Sequence, residues 1–356
     1  MNNGSIPTMA EVAGRAGVSI ATVSRYLNGI KIKPELVEKV KEAIDELDYK
    51  PNQAARSIRG SRSHTIGMIL PQLEHPYFSA VLEGATQEAR KNDQIILVAS
   101  SQGKRDIEHQ VIHQFSRSII DGLIYTPVAT GDSFIEADSF RNLPVIITGR
   151  DPSVYPEFYH VFQNTRAGGY LSANYLLSLG HKKIAFFASF WEPICDSKSI
   201  MDCLSLPGAG VYSSLERFRG YLDALKEAGV EYDSDLVVIC NYGFKDGQQA
   251  ARDLLSRCIG FDAIVTASDT VACGVINTLK AQGIQIPSDV SILGYGNLEI
   301  GSIITPQLTS IHQDMFALGV ESVKAFNALL NGESLSNKIL DVKLVVRDST
   351  CKKLGS

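Results

Sequence analysis

From His64 onward the chain repeats one pattern, a short apolar run, a turn, then a helix-length amphipathic stretch. Thr65–Leu70 (TIGMIL) reads as a buried strand, Phe78–Arg90 as a helix, Ile95–Ser100 as a strand and Ile107–Ser116 as a helix. Asp121–Tyr125 and Pro144–Thr148 are further strands. The series then restarts: helix Arg166–Leu179, strand Ile184–Ala188, helix Leu215–Ala228, strand Leu236–Cys240, helix Gly247–Cys258, strand Ala263–Thr266, helix Val271–Gln282 and strand Val290–Leu293. Strands alternating with helices of this length pair in parallel through right-handed crossovers. Two similar α/β lobes are therefore expected. The late helix Met315–Leu330 is expected to return to the first lobe, and a final strand, Ile339–Val346, to the second.

The stretch before His64 is different. Thr8 and Glu11 have the T-x-x-E spacing of a capping box, so a helix starts at Thr8, with Val12, Ala13 and Ala16 on its inner face. Gly17 breaks it in a tight turn. Ser19 can cap a second helix with Val23 and Leu27 inward, ended by Asn28-Gly29. Two short helices joined by a glycine turn read as a helix-turn-helix. The second helix carries Ile20, Ala21, Thr22, Ser24, Arg25 and Asn28 on its polar side or at its ends. Such side chains hydrogen-bond phosphates or base edges, or touch a thymine methyl. Pro34–Leu47 is a third helix, with Leu36, Val37, Val40, Ile44 and Leu47 on one apolar face, which completes a small core. The other reading of these segments is an ordinary amphipathic helix pair.

Charge separates the two regions. The net charge is −5, but residues 1–62 carry +3 and the remainder −8. Residues 50–62 hold Lys50, Arg56, Arg59 and Arg62 with no acid. A cationic module on an acidic body suits a small DNA-contacting domain carried by a larger sensor. At 356 residues, two or three domains are expected. No run approaches a membrane span and the first residues lack an apolar signal core, so a cytoplasmic protein is expected.

The run Gly17–Gly29 (GVSIATVSRYLNG), continued by Tyr49–Arg59 (YKPNQAARSIR) and more loosely by nearly the whole chain, closely resembles the LacI/GalR family of bacterial transcription regulators. The resemblance implies an all-α helix-turn-helix headpiece over residues 1–50 and a hinge helix or linker over 51–63. It implies an α/β two-lobed periplasmic-binding-protein-like core over 64–356. Lobe 1 is expected at about 64–162 and 312–334, and lobe 2 at about 163–311 and 335–356. Thr8, Ser19, Ile20, Ala21, Thr22, Ser24, Arg25 and Asn28 would then contact a palindromic double-stranded DNA operator. Asn52, Ala55 and Ile58 would do so from the hinge, with Ile58 as the apolar wedge in the minor groove where the family usually has Leu. Lys33 stands where family members carry a small capping residue, so that cap is weaker or absent.

The family likeness places a small-molecule effector between the lobes, against Tyr77, Phe78, Phe162, Tyr242, Ser268, Asp269 and Gln313. Arg217, in the run RFRG, matches the arginine that anchors an effector's hydroxyls or carboxylate. The aromatics have a second reading, as lobe core. Three departures matter: Gly149 and Gly296 stand where sugar-responsive relatives place Asp, and Ser268 stands where they often place Asn. Arg150, beside Gly149, and Arg217 point instead to an anionic ligand such as a phosphorylated sugar or carboxylate. Residues 190–214 form a longer connection than usual and contain the only tryptophan, Trp191, so a lid over the cleft and a loose insertion are both open.

Catalytic motifs are missing. The sequence has no G-x-S-x-G, phosphate-binding or dinucleotide-binding glycine pattern. His109 and His113 have zinc-helix spacing, but Gln110 replaces the base. The six cysteines lack C-x-x-C spacing and read as free thiols. No cofactor or metal is expected. With no heptad tail, a homodimer is the default, since a two-fold operator needs one. The rivals left open are a transport-type binding protein, an enzyme on the same scaffold, and a regulator whose eroded pocket answers to a protein partner.

Overall fold

The structure, a computed structural model, describes residues 7–27, 30–49, 62–128, 143–191, 194–196, 198–206 and 208–353. The chain divides into two compact units between Ser63 and His64.

In the first unit, α1 (Met9–Ala16), α2 (Ile20–Leu27) and α3 (Pro34–Glu46) enclose a core of Val12, Ala13, Ala16, Val23, Val40, Ala43 and Tyr49. The capping box is made: Thr8 N donates to Glu11 Oε2 at 2.7 Å, and Glu11 N to Thr8 Oγ1 at 3.3 Å. Gly17 ends α1 in the left-handed region, at φ 65°. Ser19 Oγ accepts from Thr22 N at 3.2 Å and starts α2. Lys33 gives α3 no side-chain cap, so Pro34 in the first turn sets where that helix begins. Leu36, Val37, Ile44 and Leu47 are only half-buried, because a three-helix unit this small has no second layer to cover them.

The second unit contains two six-stranded sheets. The first is built from β1 (Thr65–Leu70), β2 (Ile95–Ser100), β3 (Gly122–Tyr125), β4 (Val145–Thr148), β5 (Tyr159–Gln163) and β11 (Lys338–Leu340), in the order β11-β5-β4-β3-β1-β2. The second is built from β6 (Ile184–Ser189), β7 (Val237–Cys240), β8 (Ala263–Val265), β9 (Ser291–Gly296), β10 (Thr309–Gln313) and β12 (Val342–Val345), in the order β12-β10-β9-β8-β6-β7. Among the described residues every pairing is parallel except β10 with β12. Apolar clusters lie on both faces of each sheet, as parallel strands require.

Two strands lie outside the expected series, β5 (YHVFQ) and β10 (TSIHQ). Their polar ends conceal the apolar run that marks the others. The final strand expected over Ile339–Val346 is corrected to two strands. Lys338–Leu340 pairs with β5 in the first lobe, and Val342–Val345 pairs with β10 in the second. One extended segment cannot serve two sheets, so the chain turns at Asp341. Residues 338–340 thus belong to lobe 1, not to lobe 2 as expected. The chain passes between lobes at Asn164, at Asp314 and at Asp341. The first two are matched helix caps: Asn164 Oδ1 accepts from Ala167 N at 3.1 Å, and Asp314 Oδ1 from Ala317 N at 2.8 Å.

The helices that start at these caps pack unusually close to a partner. In lobe 2, α6 (Thr165–Ser178) lies on α8 (Ser213–Glu227). A Cβ on Gly169 would stand 2.0 Å from the Arg217 carbonyl oxygen, and one on Gly220 would stand 2.0 Å from that of Arg166. Lobe 1 repeats the contact between α4 (Pro76–Arg90) and α12 (Met315–Leu330). There a Cβ on Gly319 would stand 2.0 Å from Val81 O, and one on Gly84 2.1 Å from Phe316 O. Between them in the chain lie α5 (Arg105–Phe115), α7 (Ile200–Cys203), α9 (Phe244–Ser256), α10 (Asp269–Ala281) and α11 (Ile300–Ile303).

Gly169→Ala should force α6 and α8 apart and lower stability by about 1–3 kcal/mol, read by urea unfolding. Gly14→Ala, at a helical position with nothing within 4 Å of the added carbon, should instead stabilise by about 0.5–1 kcal/mol. An unchanged midpoint for Gly169→Ala would mean that the helix contact is not tight.

Candidate functional site

The first unit offers one surface. Ser19, Ile20, Ala21 and Arg25 are exposed along α2, while Thr22 and Ser24 are half-buried beside them. Ser19 Oγ and Thr22 Oγ1 are 2.9 Å apart, so these two hydroxyls are held as a pair at the helix start. The Thr8 hydroxyl is engaged in the capping box and positions α1. Asn28, Asn52, Ala55 and Ile58 lie outside the described residues.

In the second unit, a cavity of about 570 Å³, counting its open mouth, lies between the two sheets. Its first-lobe wall is the start of α4, with His75, Tyr77 and Phe78, together with Gly149 and Arg150 after β4. Its second-lobe wall holds Trp191, Ser213, Arg217, Tyr242, Ala267, Ser268 and Tyr295. The crossing strands form its floor. Tyr77 Oη donates to Gln163 Oε1 at 2.7 Å, and Gln313 Nε2 donates to the same oxygen at 3.3 Å.

Arg217 is placed by its helix. Ser214 Oγ donates to Ser189 O at 2.7 Å and ties the start of α8 to the end of β6. The close approach of Gly169 then fixes the Arg217 backbone. Its guanidinium lies 3.8 Å above the Tyr295 ring and donates from Nη1 to Ala267 O at 2.6 Å. Arg150 donates to Pro127 O at 2.8 Å and to Gly149 O at 2.9 Å. Both arginines are over nine-tenths buried, at 8% and 7% exposure. Among the described residues neither forms an ion pair, and no carboxylate lines the cavity. A buried cation without a counter-ion is costly, and an anion in the cavity relieves that cost. Gly149 and Gly296 sit at φ 70° and 119°, so the acids absent from these positions would be strained there.

The structure brings Tyr77, Phe78, Arg150, Arg217, Tyr242, Ser268 and Gln313 to the cavity. The Ser268 hydroxyl is already occupied there as the cap of α10, accepting from Val271 N at 3.2 Å. Two expectations are corrected. Phe162 lies outside the cavity because neighbouring strand residues point to opposite faces, and Gln163 takes the inward place. Asp269 is buried away from the cavity, where it accepts from Leu298 N and from Ser310 Oγ and binds α10 to the turn after β9. Burial pushes its carboxyl up to about 6. Sequence reasoning missed His75, Gln163, Thr165, Ser213 and Tyr295. A histidine directly before a proline at a helix start was the available signal for the first.

The long connection after β6 is packed rather than loose where it is described. Ile200 and Cys203 are buried in the second-lobe core, and the Arg219 guanidinium donates to Leu204 O. Trp191 reaches across the cavity mouth. Its ring centroid is 4.5 Å from that of Tyr242 in its own lobe and 6.1 Å from that of Phe78 in the other.

Comparison with known proteins follows this division of the chain. Residues 8–52 match the family described as bacterial regulatory proteins, lacI family. Residues 63–345 match periplasmic binding proteins and sugar binding domain of LacI family. The chain is 31% identical over 348 residues to the HTH-type transcriptional regulator RegA of Clostridium saccharobutylicum, covering 96% of this chain and 99% of that protein. It is 27% identical to the HTH-type transcriptional repressor PurR of Vibrio vulnificus, covering 98% and 99%. A lac repressor dimer bound to operator and the anti-inducer ONPF superposes with a TM-score of 0.84 at 25% identity, covering 98% and 100%. The transcriptional regulator CelR in complex with cellobiose gives 0.71 at 26%, covering 96% and 99%.

Behind Arg150, Glu108 is fully buried, with Oε1 accepting from Val128 N at 2.8 Å. Burial pushes its carboxyl up to about 7, above the value of about 4.3 in an unfolded chain. The folded protein therefore keeps a proton that the unfolded chain releases, and this group's contribution to stability falls as pH rises from about 4.5 to 7. Glu108→Gln should flatten that part of the pH profile of the melting temperature. Parallel profiles for the two proteins would show that Glu108 ionises normally.

Proposed function

The chain belongs to the LacI family of bacterial transcription regulators, and on that premise we propose that it is a dimeric repressor whose effector is an anionic small molecule held between the lobes. The observation that carries the effector class is the pair of buried arginines, Arg150 and Arg217, facing a cavity without a carboxylate. A phosphate or carboxylate can accept from the planar guanidinium groups in a way that a neutral sugar cannot match. The PurR and CelR relatives are a named repressor and a regulator bound to cellobiose, so the scaffold suits both repression and a metabolite ligand.

On this reading α2 enters the major groove of one half-site. Ser19, Thr22 and Ser24 hold phosphates or base edges, Ile20 and Ala21 contact thymine methyl groups, and Arg25 reads a base edge. Asn28, Asn52, Ala55 and Ile58 complete the contact, the last as the wedge at the centre of the site. A second copy is needed to read the other half-site. Apolar Ile95 and Leu97, exposed on edge strand β2, offer a face for it. Among the described residues no helix is long and apolar enough to cross a membrane, and the repressor acts in the cytoplasm. It works by binding rather than catalysis: the effector biases lobe closure, and its affinity and that for operator change reciprocally.

Selection from randomised duplex DNA with the full-length protein should enrich a palindrome. Arg25→Ala should weaken binding to that palindrome by about 1–3 kcal/mol relative to random DNA; unchanged discrimination would remove Arg25 from base reading. For the effector, phosphorylated or carboxylated metabolites should raise the melting temperature of the protein while their neutral counterparts do not. Stabilisation by neutral sugars alone would overturn the anionic class.

A further inference from the structure

Among the described residues, two buried nitrogens at the cavity have no hydrogen-bond partner, Nε2 of His75 and Nε of Arg217. Both residues line it, from opposite lobes. His75 caps α4 and Arg217 stands on α8. The His75 ring is not free to choose which nitrogen carries its proton. Nδ1 accepts the Tyr77 backbone N–H at 3.2 Å, so the neutral ring carries its hydrogen on Nε2. Burial and then the nearby Arg217 guanidinium hold the ring neutral, pushing its pKa down to about 4. The charged groups sharing its two cavities are Arg150 and Arg217 on the inner side, and Glu74 and Asp246 on the outer. Ring contacts with Phe78, Trp191 and Tyr242, at centroid distances of 6.0, 6.1 and 6.1 Å, fix its plane.

The result is a donor with one direction and no acceptor. A buried N–H in that state is satisfied by a ligand atom or not at all, unless water enters. We propose that His75 Nε2–H reads the effector from the first lobe, donating to a second acceptor on the same molecule whose anionic group lies on Arg217. The assignment rests on the anionic effector proposed above and narrows it. The ligand class becomes an anion with a further acceptor at a distance, such as a phosphorylated sugar or a polycarboxylate. A single-ended anion such as inorganic phosphate satisfies the arginine alone. Because the two donors belong to different lobes, a ligand that bridges them also favours the closed cleft.

Two variants separate the roles of the ring. His75→Asn keeps a capping acceptor near the Nδ1 position and removes the Nε2 donor. His75→Gln places an amide N–H near the Nε2 position and gives up the cap. Both are checked for folding by thermal melt. Calorimetry on the full-length protein with glucose 6-phosphate, citrate and inorganic phosphate supplies the affinities. Whichever of the first two anions binds the wild type should bind His75→Asn about tenfold more weakly and His75→Gln within about threefold of wild type, while phosphate binding stays the same. Nitrogen-15 spectra of histidine-labelled protein should show the Nε2-protonated form of His75 unchanged from about pH 5.5 to 8. Equal affinity of His75→Asn, or a ring protonated at Nδ1 or titrating in that range, overturns the role of His75 and leaves the anionic class standing. Failure of both larger anions to bind the wild type overturns the class and this assignment with it.

Discussion

Both walls of the cleft depend on helices that touch backbone to backbone. α6 and α8 meet at Gly169 and Gly220, α4 and α12 at Gly319 and Gly84, each at a distance no side chain could share. These contacts set where α8 and α4 lie, and hence where Arg217 and the His75–Phe78 turn stand. The partner helices, α6 and α12, are the ones that begin at the crossing points Asn164 and Asp314. The geometry of the site is thus tied to the segments about which the lobes would rotate. A change in closure angle moves the caps, the glycine contacts and the ligand-facing side chains as one set, which is how a small ligand can bias a large domain.

The electrostatics of the cleft follow from what is buried with the arginines. Arg150 and Arg217 are held by carbonyl oxygens and an aromatic face rather than by carboxylates. Carbonyls satisfy the N–H groups but do not cancel the charge. Glu108, behind Arg150, has its carboxyl pushed up to about 7 by burial, so at neutral pH it cancels the arginine charge only in part. The cavity therefore keeps a positive field although the second unit as a whole is acidic. Charge of this sign at the end of a cleft concentrates anions and raises their rate of entry.

Much of the architecture was legible because it rests on strong local signals. The Thr8–Glu11 box, the Gly17 turn and the inward Val23 fix the first unit from within a few residues. Likewise, apolar runs such as TIGMIL and IAFFAS announce strands buried on both faces. What stayed hidden was set by distant partners. β5 and β10 are strands because neighbouring strands claim their backbone, not because YHVFQ or TSIHQ has a strand pattern. Phe162 and Gln163 differ only in which face the register gives them. The family likeness places Asp269 at the effector site, yet Leu298 and Ser310 claim both of its oxygens. The glycines that space the helices carry no label in sequence; their role appears only when the opposing carbonyl is in view.

The split near Asp341 also bears on how such a molecule is made. β11 and β12 are the outer strands of two different sheets, and both come from one short run late in the sequence. On a ribosome, each lobe would emerge with a hydrogen-bonding edge still open, at β5 in one and β10 in the other, until that run is delivered. Exposed parallel edges are templates for mispairing with other chains. Synthesis of the last two strands would therefore complete both sheets almost together. Neither lobe could be excised as a contiguous piece of gene without leaving its sheet unfinished.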